Sequence, residues 1–333
     1  MFRRLLIGSC ICLLLPLPVT ANSPKVVADV APVHSLVAQV MAGVGEPDLI
    51  IPPGASPHEY TLRPSNAEAL SRADIVFWIG EDLTPWLENP LENLASGATK
   101  VALLEVSGIT LHDFREGATF EAHEHHDEHG HEDEHGHEDE HGHQDQEEHD
   151  DHAHEEEGHA HGEYDPHAWL DPENAKVWLQ KIADVLSTMD ATNAAQYQNN
   201  AEKAIANLDI QIASIRAQTK ALQDIKFIVF HDAYQYFERR FGVEATGAIS
   251  IGSASDPSPA RVKEIRDKVA ELGIRCAFSE PQYNPDMVVT VFEETKVATI
   301  GVIDPLGADI VIGKGQYAKL LNTLVSSITQ CQH

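Results

Sequence analysis

Apolar runs of strand length alternate with helical spacing along most of this chain, and that alternation leaves few folds open. In the first half, strand-like runs cover 25–30, 48–51, 74–79 and 100–104. Helical spacing falls over 33–43 and 84–94, and a further helix is expected to start at Ser65 with Glu68 closing a capping box. In the second half, strands are expected over 226–230, 243–249, 275–278 and 298–303, with helices near 233–240, 259–272, 285–295 and 314–330. Strands that are apolar throughout, rather than at every second residue, are covered on both faces. A parallel sheet between helical layers provides that cover. A chain of 333 residues is long enough for two such units. The expected fold is α/β: two open, mostly parallel-sheet lobes, 22–190 and 223–333, joined by one long rigid helix over 191–222. That helix carries Ala201, Ala204, Ile205, Leu208, Ile212 and Ile215 at helical spacing, without Gly or Pro. Roughly thirty residues of helix would span ~45 Å.

One stretch breaks the pattern. Residues 121–165 contain fourteen histidines and twenty acidic residues, and neither Lys nor Arg. It has almost no apolar side chains with which to form a core, and a hexad beginning Glu128-His129-Gly130-His131-Glu132-Asp133 repeats with a glycine in each copy. A disordered loop over 121–163 is the expectation. Its imidazoles, His123, His125, His126, His129, His131, His135, His137, His141, His143, His149, His152, His154, His159 and His161, stand beside carboxylates. Zn²⁺ takes both groups, so the loop reads as a low-affinity metal collector. The alternative is a solvated loop that meets metal incidentally. His131-Glu132-Asp133-Glu134-His135 matches the H-E-x-x-H pattern of zinc proteases. That chemistry needs both histidines on one face of a buried helix, which a glycine-punctuated charged repeat cannot form.

The formal charge of −30 is concentrated here. Outside the tract 33 acids face 23 bases, an ordinary surface balance. Such acidity disfavours nucleic acid and anionic membrane as partners. Arg3 and Arg4 precede an apolar run ending at Leu17, and Val19-Thr20-Ala21 offers a small-residue cleavage pattern. Residues 1–21 therefore read as a signal peptide and the mature chain as exported. Cleavage after Ala21 removes Cys10 and Cys12. Cys276 and Cys331 remain, an even pair in an oxidising compartment, which reads as one disulfide, the alternative being two buried thiols.

Six histidines lie outside the tract. His58 follows an early strand in a Gly-Ala-Ser-Pro-His loop, and His231 directly follows Phe230 at a strand end. Asp304 and Glu280 follow strands in the same way. In open α/β sheets, ligands bind beyond the carboxyl ends of strands. His167 sits in a turn entering a helix. Asp304 could be a metal ligand or could cap the turn at Pro305-Leu306-Gly307. His34 could be either ligand or structural, and His112 and His333 are expected to be solvated.

Gly54-Ala55-Ser56-Pro57-His58-Glu59-Tyr60, Asp165-Pro166-His167-Ala168-Trp169-Leu170, Phe230-His231-Asp232-Ala233-Tyr234, Ser279-Glu280-Pro281-Gln282 and Asp304-Pro305-Leu306-Gly307 occur in that order. Together they resemble the metal-binding solute receptors of ABC importers, most closely the zinc-uptake members. The resemblance covers nearly all the mature chain, including the acidic histidine-rich loop. It implies a metal held between the lobes, with His58, His167 and His231 as zinc ligands and Asp304 or a water as the fourth. Some relatives place a glutamate just before the first histidine, where this chain has Pro57. The resemblance further implies a monomeric periplasmic receptor, not an enzyme, with Zn(II) as transported ligand. Its partners would be a zinc ABC permease and its ATPase, with room for a periplasmic zinc chaperone. Three other readings use the same residues. One is a manganese or iron receptor of the same family, against which three nitrogen donors argue. Another is a secreted zinc hydrolase with Glu59 or Glu280 as base. The last is a histidine-rich adhesin or metal sponge, with many weak sites and no single tight one.

Overall fold

A computed structural model of the chain describes residues 23–115, 120, 164–250, 257–293, 295–297 and 299–332. The expected signal segment, the fourteen tract histidines and His333 lie outside the described residues.

Lobe one contains β1 (Val26–Ala28), α1 (Ala31–Val40), β2 (Asp48–Leu49), α2 (Pro64–Ser71), β3 (Ile75–Trp78), α3 (Glu88–Leu94) and β4 (Thr99–Ala102). All strand pairs are parallel, in the order β2-β1-β3-β4, with Val27 opposite both Asp48 and Val76. α2 begins one residue earlier than expected, at Pro64. The backbone N–H of Arg63 donates to Asn66 Oδ1 at 3.2 Å, while Glu68 instead pairs with Arg72 on the surface. Proline at the first helical position decides this start, because its missing N–H costs nothing there.

Two helices follow, α4 (Pro172–Met189) and α5 (Ala194–Thr219). α5 falls inside the expected 191–222, and its 26 residues make it ~39 Å long. It buries Tyr197, Ala201, Ala204, Leu208, Ile212 and Ile215, one stripe at three- and four-residue spacing. Near its start Asn200 donates to the carbonyls of Val40 and Ala42 in lobe one. Further along, Gln211 donates to the Ala318 carbonyl.

Lobe two contains β5 (Phe227–His231), α6 (Gln235–Phe241), β6 (Gly247–Ser250), α7 (Pro259–Leu272), β7 (Cys276–Ser279), α8 (Pro285–Phe292), β8 (Thr299–Val302) and α9 (Gln316–Thr329). Its strand order, β6-β5-β7-β8, repeats that of lobe one, again all parallel. β5 shows why the strands read as unbroken apolar runs. Ile228 and Phe230 pack into a small cluster with α7 and α8, while Phe227 and Val229 join the main core. Alternate residues face opposite layers, and both layers are apolar. α9 returns to lobe one, where the Tyr317 backbone N–H donates to Ser35 Oγ on α1. Cys276 and Cys331 form the expected disulfide, with Cα atoms 5.6 Å apart, tying the start of β7 to the end of the chain.

Candidate metal centre

In a doubly wound sheet the switch point is the gap between neighbouring strands whose connections leave in opposite directions. Here it lies between β1 and β3 in one lobe and between β5 and β7 in the other. His231 is the last residue of β5, and Glu280 immediately follows β7. Because these strands are adjacent and parallel, the two side chains meet. His231 Nδ1 lies 2.9 and 2.8 Å from the two Glu280 oxygens, and the pair is almost wholly buried.

His167 stands just before a one-turn helix, Ala168–Leu170. Its Nδ1 lies 2.7 Å from Asp165 Oδ1, which also accepts its backbone N–H. The adjacent Trp169 is buried and donates from Nε1 to the Pro305 carbonyl, while its own carbonyl accepts from Tyr317. The turn is therefore clamped between lobes. His58 comes from the loop after β2, whose Pro57 carbonyl accepts from Trp86 Nε1 at 2.8 Å. Gly54 turns that loop with φ +81°.

These three imidazoles converge. Their ring centroids are 5.1 to 5.7 Å apart, and one nitrogen from each lies within 4.8 Å of the others. In the tautomer that donates Nδ1–H of His167 and His231 to those carboxylates, each ring when neutral presents an Nε2 lone pair to the cleft. Those two Nε2 atoms are 3.2 Å apart, and His58 Nε2 is buried without a partner. Lone pairs at that distance repel unless a proton or a cation stands between them. Protons are disfavoured at two of the rings. Burial and the neighbouring imidazoles hold His58 and His167 well below the usual histidine value. Burial also pushes His231 down, but the Glu280 carboxylate, with Asp232 and Asp165 beside it, more than offsets this and raises the imidazole overall. Burial lifts Asp165 to about 7. The cavity has about 10 Å³ of free space, the room of one ion or water. Pro57, Trp169, Pro305 and Leu306 supply its apolar wall.

Asp304 does not join the imidazoles. Its Oδ1 accepts from the Leu306 backbone N–H and from Gln282 Nε2, and its Oδ2 from Ala308 N–H. Of the two roles open in the sequence, the structure gives it the turn cap. His34 is buried away from the cleft against the Pro47 carbonyl. His112, expected in solvent, is instead half-buried against Tyr236, with Arg239 donating to its Nδ1. The orienting role of Asp165 was not read from the sequence, although its place two residues before His167 is a usable signal. Arg115 was also missed. It bridges Asp232 and Glu238, pinning the chain after β4 to lobe two.

A family model described as "ZnuA: Zinc-uptake complex component A periplasmic" matches residues 26–331. The chain belongs to that family. It is 47% identical over 306 residues to the high-affinity zinc uptake system protein ZnuA of Brucella abortus (strain 2308), covering 92% of this chain and 91% of that one. The ZnuA of Paracoccus denitrificans (strain Pd 1222) is 44% identical over 318 residues, covering 95% and 94%. A crystal structure of ZnuA superposes with a TM-score of 0.72 at 20% identity, covering 94% of this chain and all of the other, which shows a shared fold. The family is one of solute-binding receptors rather than enzymes.

Proposed function

We infer that this chain is the zinc-binding receptor of an ABC importer, and that His58, His167 and His231 grip the cargo ion in the cleft between the lobes. The observation that carries this reading is the set of three converging imidazole nitrogens, two of them aimed by buried carboxylates. Neutral nitrogen donors suit Zn²⁺ better than Mn²⁺, which prefers oxygen. Asp165 and Glu280 each hold one ring by its Nδ1, the usual arrangement around a zinc histidine. A cavity the size of one ion leaves a hydrolase no substrate room, and the one carboxylate in its wall, Glu280, is engaged by His231. Relatives named as high-affinity zinc uptake proteins support the same cargo.

Residues 1–21 direct export to the periplasm and are removed, leaving lobes 22–190 and 223–333 about the 191–222 helix. The receptor acts as a monomer and delivers zinc to the permease and ATPase of the importer, with room for a periplasmic zinc chaperone as a further partner. The tract histidines collect zinc weakly and pass it inward. Competition titration of the full chain against a tight chelator tests the site. One high-affinity zinc is expected, absent when the three histidines are alanine. Nanomolar binding by the triple variant would refute the assignment. Deleting 123–161 tests the collector, with slower loading under scarcity as the expected result.

A further inference from the structure

Gln282 lines the same cavity, two residues beyond Glu280. Its Nε2 donates to Asp304 Oδ1 at 2.8 Å. A carboxylate only accepts, so the NH₂ end of the amide must face Asp304 and the carbonyl end must face away. Asp304 is held in turn by the backbone N–H groups of Leu306 and Ala308. Among the described residues, the buried Gln282 Oε1 has no hydrogen-bond partner. An unpaired buried acceptor is costly, so its place in the wall calls for a donor or a cation. Trp169, another wall residue, has its N–H committed to Pro305. Three imidazoles leave one corner of a tetrahedral zinc shell open, and the cavity has room for the ion alone.

We propose that Gln282 supplies the fourth zinc ligand through Oε1, with Asp304 as a positioning residue that acts by holding the amide in that orientation. The assignment rests on the zinc reading above. A neutral amide oxygen leaves the full dication charge on the site, so the fourth contact is the weakest of the four and the first to open on release.

The test uses the full chain with zinc competition against a chelator and the visible spectrum of the Co²⁺-loaded protein. Q282M preserves length but removes the amide. It should weaken zinc by about 10–100-fold, in the range seen when groups supporting a zinc shell are lost, and should shift the Co²⁺ bands. Q282A carries the same expectation, and adding D304N to Q282M should weaken binding no further. Zinc affinity within twofold of wild type with an unchanged Co²⁺ spectrum would overturn the proposal. So would a lowered melting temperature with an unchanged spectrum, which would mean that Gln282 only braces the turn. H231A is the control: if it kept the tight site, the zinc reading itself would fail, whereas its loss beside a silent Q282M would remove only this ligand.

Discussion

At the end of β1 the chain places Asp29, and at the matching end of β5 it places His231. Both are buried at a switch point, but they face different tasks. The Asp29 oxygens turn back to its own lobe, accepting the backbone N–H groups of Val30 and Ile79 at 2.7 Å each. His231 uses one nitrogen on Glu280 and turns the other to the cleft. The sheet of lobe one instead approaches the cleft through the loop after β2, where, among the described residues, no hydrogen bond from a carboxylate orients His58 as Asp165 orients His167. Supports differ as well. The sheet of lobe one sits within the main core, whereas lobe two closes its outer face with a small separate cluster and adds a disulfide. Identical strand order thus yields one braced, pre-aimed imidazole and one held mainly by its loop. Pre-aiming cuts the ordering cost of binding. A loop-borne ligand can yield without disturbing a sheet.

Opening the disulfide should have the largest effect and should fall on lobe two. C276S/C331S is expected to lose about 4 kcal/mol of stability on the chain-entropy model for a 55-residue interval, read by urea unfolding. The stoichiometry of high-affinity zinc should stay at one. Unchanged unfolding would show that lobe two stands without its brace.

Single histidine variants separate the lobes next. H58A and H231A should each weaken zinc by about 100–1,000-fold, one ligand's share of a typical site energy. Only H231A should also destabilise the metal-free protein, by roughly 1–3 kcal/mol, because it takes the imidazole partner from buried Glu280 and leaves it the backbone N–H of residue 231. Equal melting temperatures for the two apo variants would erase the asymmetry.

E280Q sharpens the contrast within lobe two. Losing the carboxylate behind His231 should cost about 10–100-fold in zinc affinity, measured by chelator competition. It should also remove the upward push on the His231 imidazole.

The smallest effect concerns Asp29, lifted to about 7 by burial. A carboxyl raised on folding keeps its proton in the native state at pH values where the unfolded chain has lost it. Its contribution is therefore full below about 4 and is lost as pH rises towards 7. The stability of D29N relative to wild type should improve over that interval in denaturant titrations. A flat difference would mean that Asp29 is already ionised in the fold.

Much of this was legible in advance, and particular residues show why. The unbroken apolar run at β5 could only be a strand covered on both faces, so the parallel sheet followed from composition alone. His58, His167 and His231 each carried a positional signal: a loop after a strand, a turn into a helix, a strand end. The cysteines paired by elimination once Cys10 and Cys12 were assigned to the leader. Asp304 had the same signal as His231, yet its carboxylate was spent on Leu306, Ala308 and Gln282.

Local pattern specifies where a side chain leaves the backbone, because strand and helix periods are properties of short stretches. It thereby determined the two sheets, the long helix between them and where the three histidines leave the backbone. Which second atom each group finds was decided only by the packing of distant segments. His231 with Glu280 is separated by 49 residues and Trp169 with Pro305 by 136. The orientation of an imidazole and the engagement of a carboxylate are properties of such pairs, and no single stretch of sequence contains them.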